Sequence, residues 1–267
     1  MIVIGDIHGN FKTFLGLLSI IPKSELKKGI VLVGDIVDKG PNSMQVVQYC
    51  MDNNIKSVMG NHEKLMLDWN KNRNFNDTRW LGEGGLETLD SYKKINNCDD
   101  LENNIQWDLF KKHCDYIAKL PIYLPFPNIK NSDGRYLVVS HSNINNVWQY
   151  KDSVDDMDRS RFEDFALWYR SRKIIDIPDI YNVVGHTPKQ FGPHIRNVYS
   201  NIDTGCFYNG KVGYYKLTAL QFPEMIIYQH DNIDIKSIKK PQISVLTLEE
   251  LKKQQKSQHI KQKMRVF

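Results

Sequence analysis

MIVIGDIHGN occupies residues 1–10 of the chain, IVLVGDIVDKG residues 30–40, and SVMGNHE residues 57–63. In each stretch a short apolar run stops at a glycine that is followed by side chains able to ligate a metal ion. Runs of this length, rich in Val and Ile and bounded by Gly, are typical of buried strands. The three stretches therefore predict three strands with polar groups at their carboxyl ends.

Segments with a helical period separate these strands. Asn10 is placed to cap a helix that buries Phe14 and Leu18, and Pro41 suits the first turn of a second helix. The N-terminal third is thus predicted to be β-α-β-α-β. In such an α/β unit the crossovers are right-handed and ligands gather at the carboxyl ends of the strands.

Two later apolar runs end in the same manner. The run at 136–139 stops before His141, and the run at 181–184 stops before His186. Four of the eight histidines in the chain, His8 and His62 among them, therefore follow predicted strands. We expect them to meet at one edge of the fold.

The rest of the chain divides by composition. The pattern over residues 64–120 extends over a longer stretch and is more polar than the segments before it, which favours a helical insertion beside the site. We expect a catalytic domain over 1–230 and a basic appendage over 231–267, with one helix at 248–258 and a loosely held end. Its lysines could dock nucleic acid, although a solvated surface is the simpler interpretation.

The composition excludes several classes of protein. The 267 residues are 41% hydrophobic with a net charge of +5, as in an ordinary folded domain rather than a disordered chain. We expect a cytoplasmic protein, because no apolar run approaches the roughly 20 residues that span a membrane. The four cysteines form no CxxC pair, which argues against a disulfide scaffold or a zinc ribbon.

The polar clusters combine carboxylate, carboxamide and imidazole groups. These ligands together suit Mn²⁺, Fe²⁺ or Zn²⁺, and the lack of cysteine argues against a thiolate site. A two-metal centre is the economical explanation, since one carboxylate can bridge two ions that activate a shared water and clamp a phosphoryl group.

These motifs resemble a known family, the metal-dependent phosphoprotein phosphatases, which share GDxHG, GDxVDRG and GNHE followed by two histidines. The resemblance covers about residues 1–229 and is greatest to the short bacterial and bacteriophage branch typified by the bacteriophage lambda protein phosphatase. Symmetrical diadenosine tetraphosphatases are related to that branch. The resemblance implies a calcineurin-like metallophosphoesterase sandwich of two mixed β-sheets flanked by helices.

The resemblance also implies residue roles. Six ligands would hold two divalent ions, with Mn²⁺ expected and Fe or Zn as alternatives: Asp6 and His8 on the first ion, Asp35 as the bridge, and Asn61, His141 and His186 on the second. His62 would be the general acid, oriented by Asp38. Lys39 and Arg170 would bind the phosphoryl oxygens. Arg172 competes with Arg170 for this role.

One residue departs from the family pattern. Lys39 stands where the family has Arg, and a single ammonium replaces a planar bidentate fork. Catalysis is expected to be retained but reduced or altered, because one lost charge-assisted hydrogen bond costs about 1.5–3 kcal/mol.

The family permits several substrates. The first choice from the sequence is phosphomonoester hydrolysis, above all of phosphoserine and phosphothreonine in proteins, by direct attack of a dimetal-bridged hydroxide. The alternative within the class is a hydrolase of dinucleoside polyphosphates or nucleic-acid ends. A metal-loaded pseudoenzyme that captures phosphorylated partners is a third hypothesis. The oligomeric state is left open.

Overall fold

The computed structural model describes residues 1–94, 101–170, 173–208, 212–234 and 241–264. Arg172 lies outside the described residues, and so do Cys98 and four basic residues of the tail: Lys236, Lys239, Lys240 and Arg265.

Six strands form the first sheet, in the order β11-β10-β9-β1-β2-β3. Their bounds are β1 (Ile2–Ile4), β2 (Ile30–Leu32), β3 (Lys56–Ser57), β9 (Lys216–Gln221), β10 (Ile226–Asp231) and β11 (Ile243–Leu246). The first three strands pair in parallel, as the β-α-β-α-β pattern predicts, and the last three add antiparallel pairs beside β1.

Five strands form the second sheet, in the order β4-β5-β6-β8-β7. Their bounds are β4 (Tyr123–Lys130), β5 (Tyr136–Ser140), β6 (Ile180–Val184), β7 (His194–Ile195) and β8 (Tyr199–Asn201). Strands β5, β6 and β8 are parallel, whereas β4 and β7 pair antiparallel at the two edges. The prediction of two mixed sheets is therefore confirmed.

Helices pack on the outer faces of both sheets, and the last helix also contributes to the core between them. Their bounds are α1 (Phe11–Ile20), α2 (Lys23–Leu26), α3 (Ser43–Asp52), α4 (Asn61–Asn72), α5 (Thr78–Trp80), α6 (Leu86–Ser91), α7 (Leu101–Asn104), α8 (Trp107–Ile117), α9 (Asp156–Trp168) and α10 (Leu248–Met264). A π-helical turn (Leu81–Gly85) joins α5 to α6, and a 3₁₀ turn (Asn145–Tyr150) precedes α9.

Alternation along the strands produces the layers. Val3 on β1 packs between the sheets with Val139 of β5, while its neighbour Ile4 faces outward and packs with Phe14 of α1. Likewise Val138 faces α9 on the outer side of the second sheet. Successive side chains of a strand point to opposite faces of the sheet. Since each sheet is covered on both faces, side chains on both sides are buried, which explains why the strands are continuous apolar runs.

Helix α1 is held differently from the expected cap. The Asn10 side chain donates to the carbonyls of Ile7 and His8, so it stabilises the preceding turn and caps no helical N–H group. The carboxylate of Asp234 instead accepts from the backbone N–H groups of Lys12 and Thr13, at 3.1 and 2.9 Å. A residue more than two hundred positions away therefore caps this helix, which no local pattern can indicate.

The described part of the tail is anchored to the sheet, unlike the loosely held end that we expected. Strand β11 pairs with β10 along its length, and Leu251 of α10 is buried in the core between the sheets. Gln255 donates to the carbonyl of Pro193 at 3.0 Å. The expected boundary after residue 230 falls inside β10, and the division into two domains stays a prediction.

Candidate metal centre

The carboxyl ends of five parallel strands, from both sheets, meet at one edge of the sandwich. Their loops carry the side chains that the motifs predict: Asp6 and His8 after β1, Asp35 and Asp38 after β2, Asn61 and His62 after β3, His141 after β5, and His186 after β6. All eight are buried, with at most 7% of the surface of any of them exposed. The structure thus brings together residues that lie up to 180 positions apart in the sequence.

Three of these side chains converge with Asp35 on one point. The His141 Nε2 atom lies 2.9 Å from Asn61 Oδ1 and 3.1 Å from His186 Nδ1, and Asn61 Oδ1 lies 3.0 Å from His186 Nδ1. Asp35 Oδ1 is 3.4 Å from the same His141 nitrogen. This group contains the four residues expected to share the second ion.

A second group surrounds the other oxygen of Asp35. His8 Nε2 lies 3.5 Å and His62 Nε2 4.0 Å from Asp35 Oδ2. Asp6 has one oxygen engaged and one free among the described residues. Its Oδ2 accepts from the His186 N–H at 3.0 Å, while its Oδ1 is buried and has no hydrogen-bond partner there. Asp35 therefore lies between the two groups, where a bridging carboxylate belongs.

Backbone carbonyls determine which imidazole nitrogens carry protons. His8 Nδ1 and His141 Nδ1 each lie 2.9 Å from a carbonyl oxygen, of Val37 and Val33 respectively, and must donate to it. His186 Nε2 donates to Trp168 O at 3.1 Å; Arg170 Nε lies farther from that nitrogen, at 3.4 Å, so the carbonyl contact decides the tautomer. The opposite nitrogen of each ring is then unprotonated and carries a lone pair.

These lone pairs make the residues fit for metal ions. His141 Nε2, His186 Nδ1 and Asn61 Oδ1 lie within about 3 Å of one another as acceptors, an arrangement that a shared cation satisfies. Burial lowers the pKa of His8 and His141, and burial together with His141 lowers the pKa of His186 to about 3. Neutral imidazoles are the form that binds metals.

His62 has a different environment from the other three histidines. Its Nδ1 atom lies 2.7 Å from Asp38 Oδ2, and Asp38 is held in turn by Thr88 Oγ1 at 2.7 Å and Trp80 Nε1 at 3.0 Å. Burial by itself lowers the pKa of His62, but the carboxylates of Asp35 and Asp38 outweigh burial and raise it. Among these four histidines, His62 is thus the one whose pKa is raised, which is what the expected role of general acid requires.

Two buried acids near the metal groups were not singled out from the sequence. Glu63 is fully buried and accepts from the N–H groups of Asp35, Ile36 and Gly60 at 2.7–2.8 Å, so it fixes the loop that carries Asp35. Asp203, after β8, lines the pocket around His8 and Asp35. Glu63 is the last residue of the GNHE motif, but only the folded loop shows what its carboxylate binds.

The two expected phosphate-binding cations border the metal groups. Lys39 Nζ lies 3.4 Å from His8 Nε2 and 4.1 Å above the ring of Phe207. Gly84 approaches the Lys39 backbone so closely that a Cβ atom there would lie 2.5 Å from its nitrogen, at a φ of 110°. The glycine-rich turn (Leu81–Gly85) thus packs directly against the backbone of Lys39. Arg170 lies beside His186.

A cavity of about 730 Å³ opens from this edge, between the metal groups and the helical insertion. Its walls include His62, Lys39 and Arg170 on the metal side and Arg79, Glu83 and Trp168 on the outer side. Trp80 is buried in the core, whereas Trp168 is 37% exposed and can offer its ring to a ligand. We call this space the indole cavity.

The fold and the site together define a metallophosphoesterase. Residues 1–207 match the family model of the calcineurin-like phosphoesterases, and the chain belongs to that family. The family and fold expected from the motifs are thereby confirmed. The chain is a metal-dependent phosphoesterase, and the role of each site residue stays a prediction.

The relatives of this chain include named hydrolases. The asymmetrical bis(5′-nucleosyl)-tetraphosphatase of Oceanobacillus iheyensis is 28% identical over 251 residues, which cover 83% of this chain and 88% of that protein. A symmetrical bis(5′-nucleosyl)-tetraphosphatase of Neisseria gonorrhoeae is 31% identical over 106 residues, 39% of this chain and 35% of that protein. The solved structure of a protein assigned as a diadenosine tetraphosphatase has a TM-score of 0.51 at 20% identity, covers 85% of this chain and 91% of that one, and shows the same fold.

Proposed function

We propose that this protein hydrolyses dinucleoside polyphosphates of the diadenosine tetraphosphate type, using two divalent ions, with Mn²⁺ as the expected metal. This was the alternative in the sequence analysis. The first choice of the sequence analysis was hydrolysis of phosphoserine and phosphothreonine in proteins. That activity stays a prediction, and the named relatives do not favour it.

The indole cavity is the observation that carries the proposal. It adjoins the metal groups and combines the exposed ring of Trp168 with the guanidinium of Arg79. Aromatic faces stack on nucleobases, and Arg binds phosphate oxygens in a planar fork. Its volume of about 730 Å³ lies within the range of small-molecule sites.

The relatives support the same substrate class. Four proteins that each align with 83–84% of this chain are named as asymmetrical bis(5′-nucleosyl)-tetraphosphatases, at 26–28% identity. The alignments include the second half of the chain, which supplies Trp168 and Arg170. Similarity therefore extends beyond the motifs that all such phosphoesterases need.

Different residues of the chain have different roles in the hydrolysis. When bound, two divalent ions lower the pKa of a shared water and polarise phosphoryl oxygens. Lys39 and Arg170 bind the remaining phosphoryl oxygens and offset their developing charge. His62 donates its Nε2 proton to the leaving oxygen, while Asp38 holds the ring and stabilises its cationic form.

Other aspects of this proposal stay predictions. The ligand set of carboxylate, carboxamide and imidazole suits Mn²⁺ as well as Fe²⁺ and Zn²⁺. A cytoplasmic location is expected from the sequence alone, and docking of nucleic acid on the basic tail stays the less favoured alternative to a solvated surface. Among the described residues, no helix is both long and apolar enough to cross a membrane.

A direct comparison of substrates tests the proposal. Metal-stripped protein is supplied with Mn²⁺, and kcat/KM is measured for diadenosine tetraphosphate and for a phosphoserine peptide, with Asp35→Asn as the background control. We expect metal-dependent cleavage of the dinucleotide to exceed that of the peptide. A higher kcat/KM for the peptide would restore the protein phosphatase, and binding of both without cleavage would indicate the pseudoenzyme.

A further inference from the structure

A second cavity, of about 400 Å³, shares Arg170 with the indole cavity. The residues of its wall that matter here are Asn143, Tyr169, Arg170, Lys189 and Tyr199. Arg170 is common to both cavities, so the two spaces meet at the expected phosphate-binding residue. None of the roles discussed above uses the second cavity, which we call the amide cavity.

One residue of the wall of the amide cavity carries a buried amide group without a hydrogen-bond partner among the described residues. Asn143 is only 5% exposed, and its Oδ1 atom accepts from the Asn145 N–H at 3.1 Å, which fixes the orientation of the carboxamide. Its Nδ2 atom has no hydrogen-bond partner among the described residues. A buried donor without a partner costs about 1–3 kcal/mol, so a ligand that accepts this hydrogen bond is favoured.

The charges in the wall favour an anion. Arg170 and Lys189 both line the amide cavity, and the described residues of its wall include no carboxylate. Burial lowers the pKa of Lys189, and Arg170 lowers it further although Asp203 opposes them. An anionic group between the two cations would relieve their mutual repulsion.

The backbone directs two neighbouring aromatic rings into different cavities. Tyr169 follows the last residue of α9 and is extended, with φ −80° and ψ 128°. Successive side chains of extended backbone point to opposite sides, and accordingly Trp168 lines the indole cavity and Tyr169 the amide cavity. Phe165 stacks on the Tyr169 ring at 4.0 Å and holds it in place.

We infer that the amide cavity binds the second nucleotide of a dinucleoside polyphosphate, with the polyphosphate crossing Arg170 and the first nucleotide in the indole cavity. Asn143 donates to the base or sugar, Tyr169 and Tyr199 contact the rings, and Lys189 binds a phosphate of this half. The inference rests on the proposed function, since only a substrate with two nucleosides needs both cavities.

Two variants and a matched control test the inference. Asn143→Leu removes the donor at nearly constant volume, and Lys189→Gln removes the cation at a half-buried wall position where folding is little affected. Lys27→Gln makes the same charge change at an exposed position before β2, at the opposite end of that strand from the metal groups. For each protein we would measure kcat/KM for diadenosine tetraphosphate and for p-nitrophenyl phosphate, which carries no nucleoside, and take the ratio.

We expect the ratio to fall about tenfold in Asn143→Leu and in Lys189→Gln, the effect of one lost hydrogen bond to substrate, and to keep its wild-type value in Lys27→Gln. An unchanged ratio in Lys189→Gln, while the wild type cleaves the dinucleotide, would overturn the amide-cavity site and leave the proposed function standing. A wild-type protein that cleaves p-nitrophenyl phosphate but not the dinucleotide would overturn both.

Discussion

The floor of the site and its walls are built in different ways. On the floor, His8, His141 and His186 each donate to a backbone carbonyl, and Glu63 fixes the Asp35 loop through the N–H groups of its residues 35, 36 and 37. The walls carry Trp168 and other side chains with exposed surface, on loops and helix ends.

The contrast separates the part of the site that determines the reaction from the part that determines which substrate binds. Groups held by several hydrogen bonds to the backbone are preorganised, as ligands for metal ions need to be. Wall residues have fewer constraints and can differ without disturbing the floor. We therefore expect floor variants to reduce turnover of every substrate and wall variants to discriminate between substrates.

The largest effect is expected on the floor, from Asp35→Asn. This change removes the carboxylate that lies between both groups of ligands, 3.4 Å from His141 Nε2 and 3.5 Å from His8 Nε2. Turnover should fall by about 10³-fold for dinucleotide and small ester alike, the upper end for one preorganised charged group. Steady-state assays with both substrates, and calorimetric titration with Mn²⁺, check the loss. A variant that lost activity on one substrate alone would break the distinction between floor and walls.

A smaller effect is expected from Asp38→Asn, because His62 keeps its position near Asp35 but loses its charged partner. General acid catalysis contributes about 10²–10⁴-fold, so kcat should fall by about 10²-fold. The pKa of His62 is raised by Asp35 and Asp38, and the active form is protonated, so activity declines as pH rises through that pKa. Removing one carboxylate lowers the pKa, and the decline should begin at lower pH.

The pH profile of kcat measures this shift. Thr88→Val is the matched control, since it removes the 2.7 Å hydrogen bond to Asp38 Oδ1 but keeps the charge. Its basic limb should move less than that of Asp38→Asn. Equal shifts in the two variants would show that the charge of Asp38 is not what raises the pKa.

On the wall, Trp168→Ala should lower kcat/KM for diadenosine tetraphosphate about tenfold relative to p-nitrophenyl phosphate, since stacking of a base on an aromatic ring is worth about 1–3 kcal/mol. Trp168→Phe keeps a stacking face and should retain most of the ratio. Competition assays with AMP give an independent measure of the same contact. A ratio that Trp168→Ala leaves unchanged would remove the indole cavity from substrate recognition.

The smallest effect is expected where floor and wall meet, from Lys39→Arg. A bidentate fork replaces a single ammonium, so turnover of p-nitrophenyl phosphate should rise by a few-fold, less than the about 1.5–3 kcal/mol of a whole charge-assisted hydrogen bond, because Lys39 already supplies the positive charge. Steady-state kinetics at saturating Mn²⁺ check the direction. Turnover that falls or stays constant would mean that the position above the Phe207 ring accommodates only the smaller cation.

Much of the floor could be predicted from the sequence because it depends on local patterns. Each ligand follows a short apolar strand, and the carboxyl ends of parallel strands meet at one edge whatever the intervening loops do. The two mixed sheets were predicted from the family resemblance and not from local patterns, and the structure confirms them. The structure also places the His62–Asp38 pair as the motifs implied.

The walls could not be predicted in this way. Arg79, Asn143 and Lys189 belong to no motif, and their meaning depends on which loops the fold brings around Arg170. The expected Asn10 cap was wrong for a similar reason, since Asp234 reaches α1 from the far end of the chain.

The sequence already indicated which groups could bind metal ions, their order along the chain and the strands that present them, because continuous apolar runs and glycine boundaries are local properties. Only the tertiary structure decided which nitrogen of each histidine faces the metal groups, which acid fixes the Asp35 loop, and that two cavities share Arg170. Those features arise from contacts between residues distant in sequence, and the free energy of such contacts appears only when the two sheets have packed together.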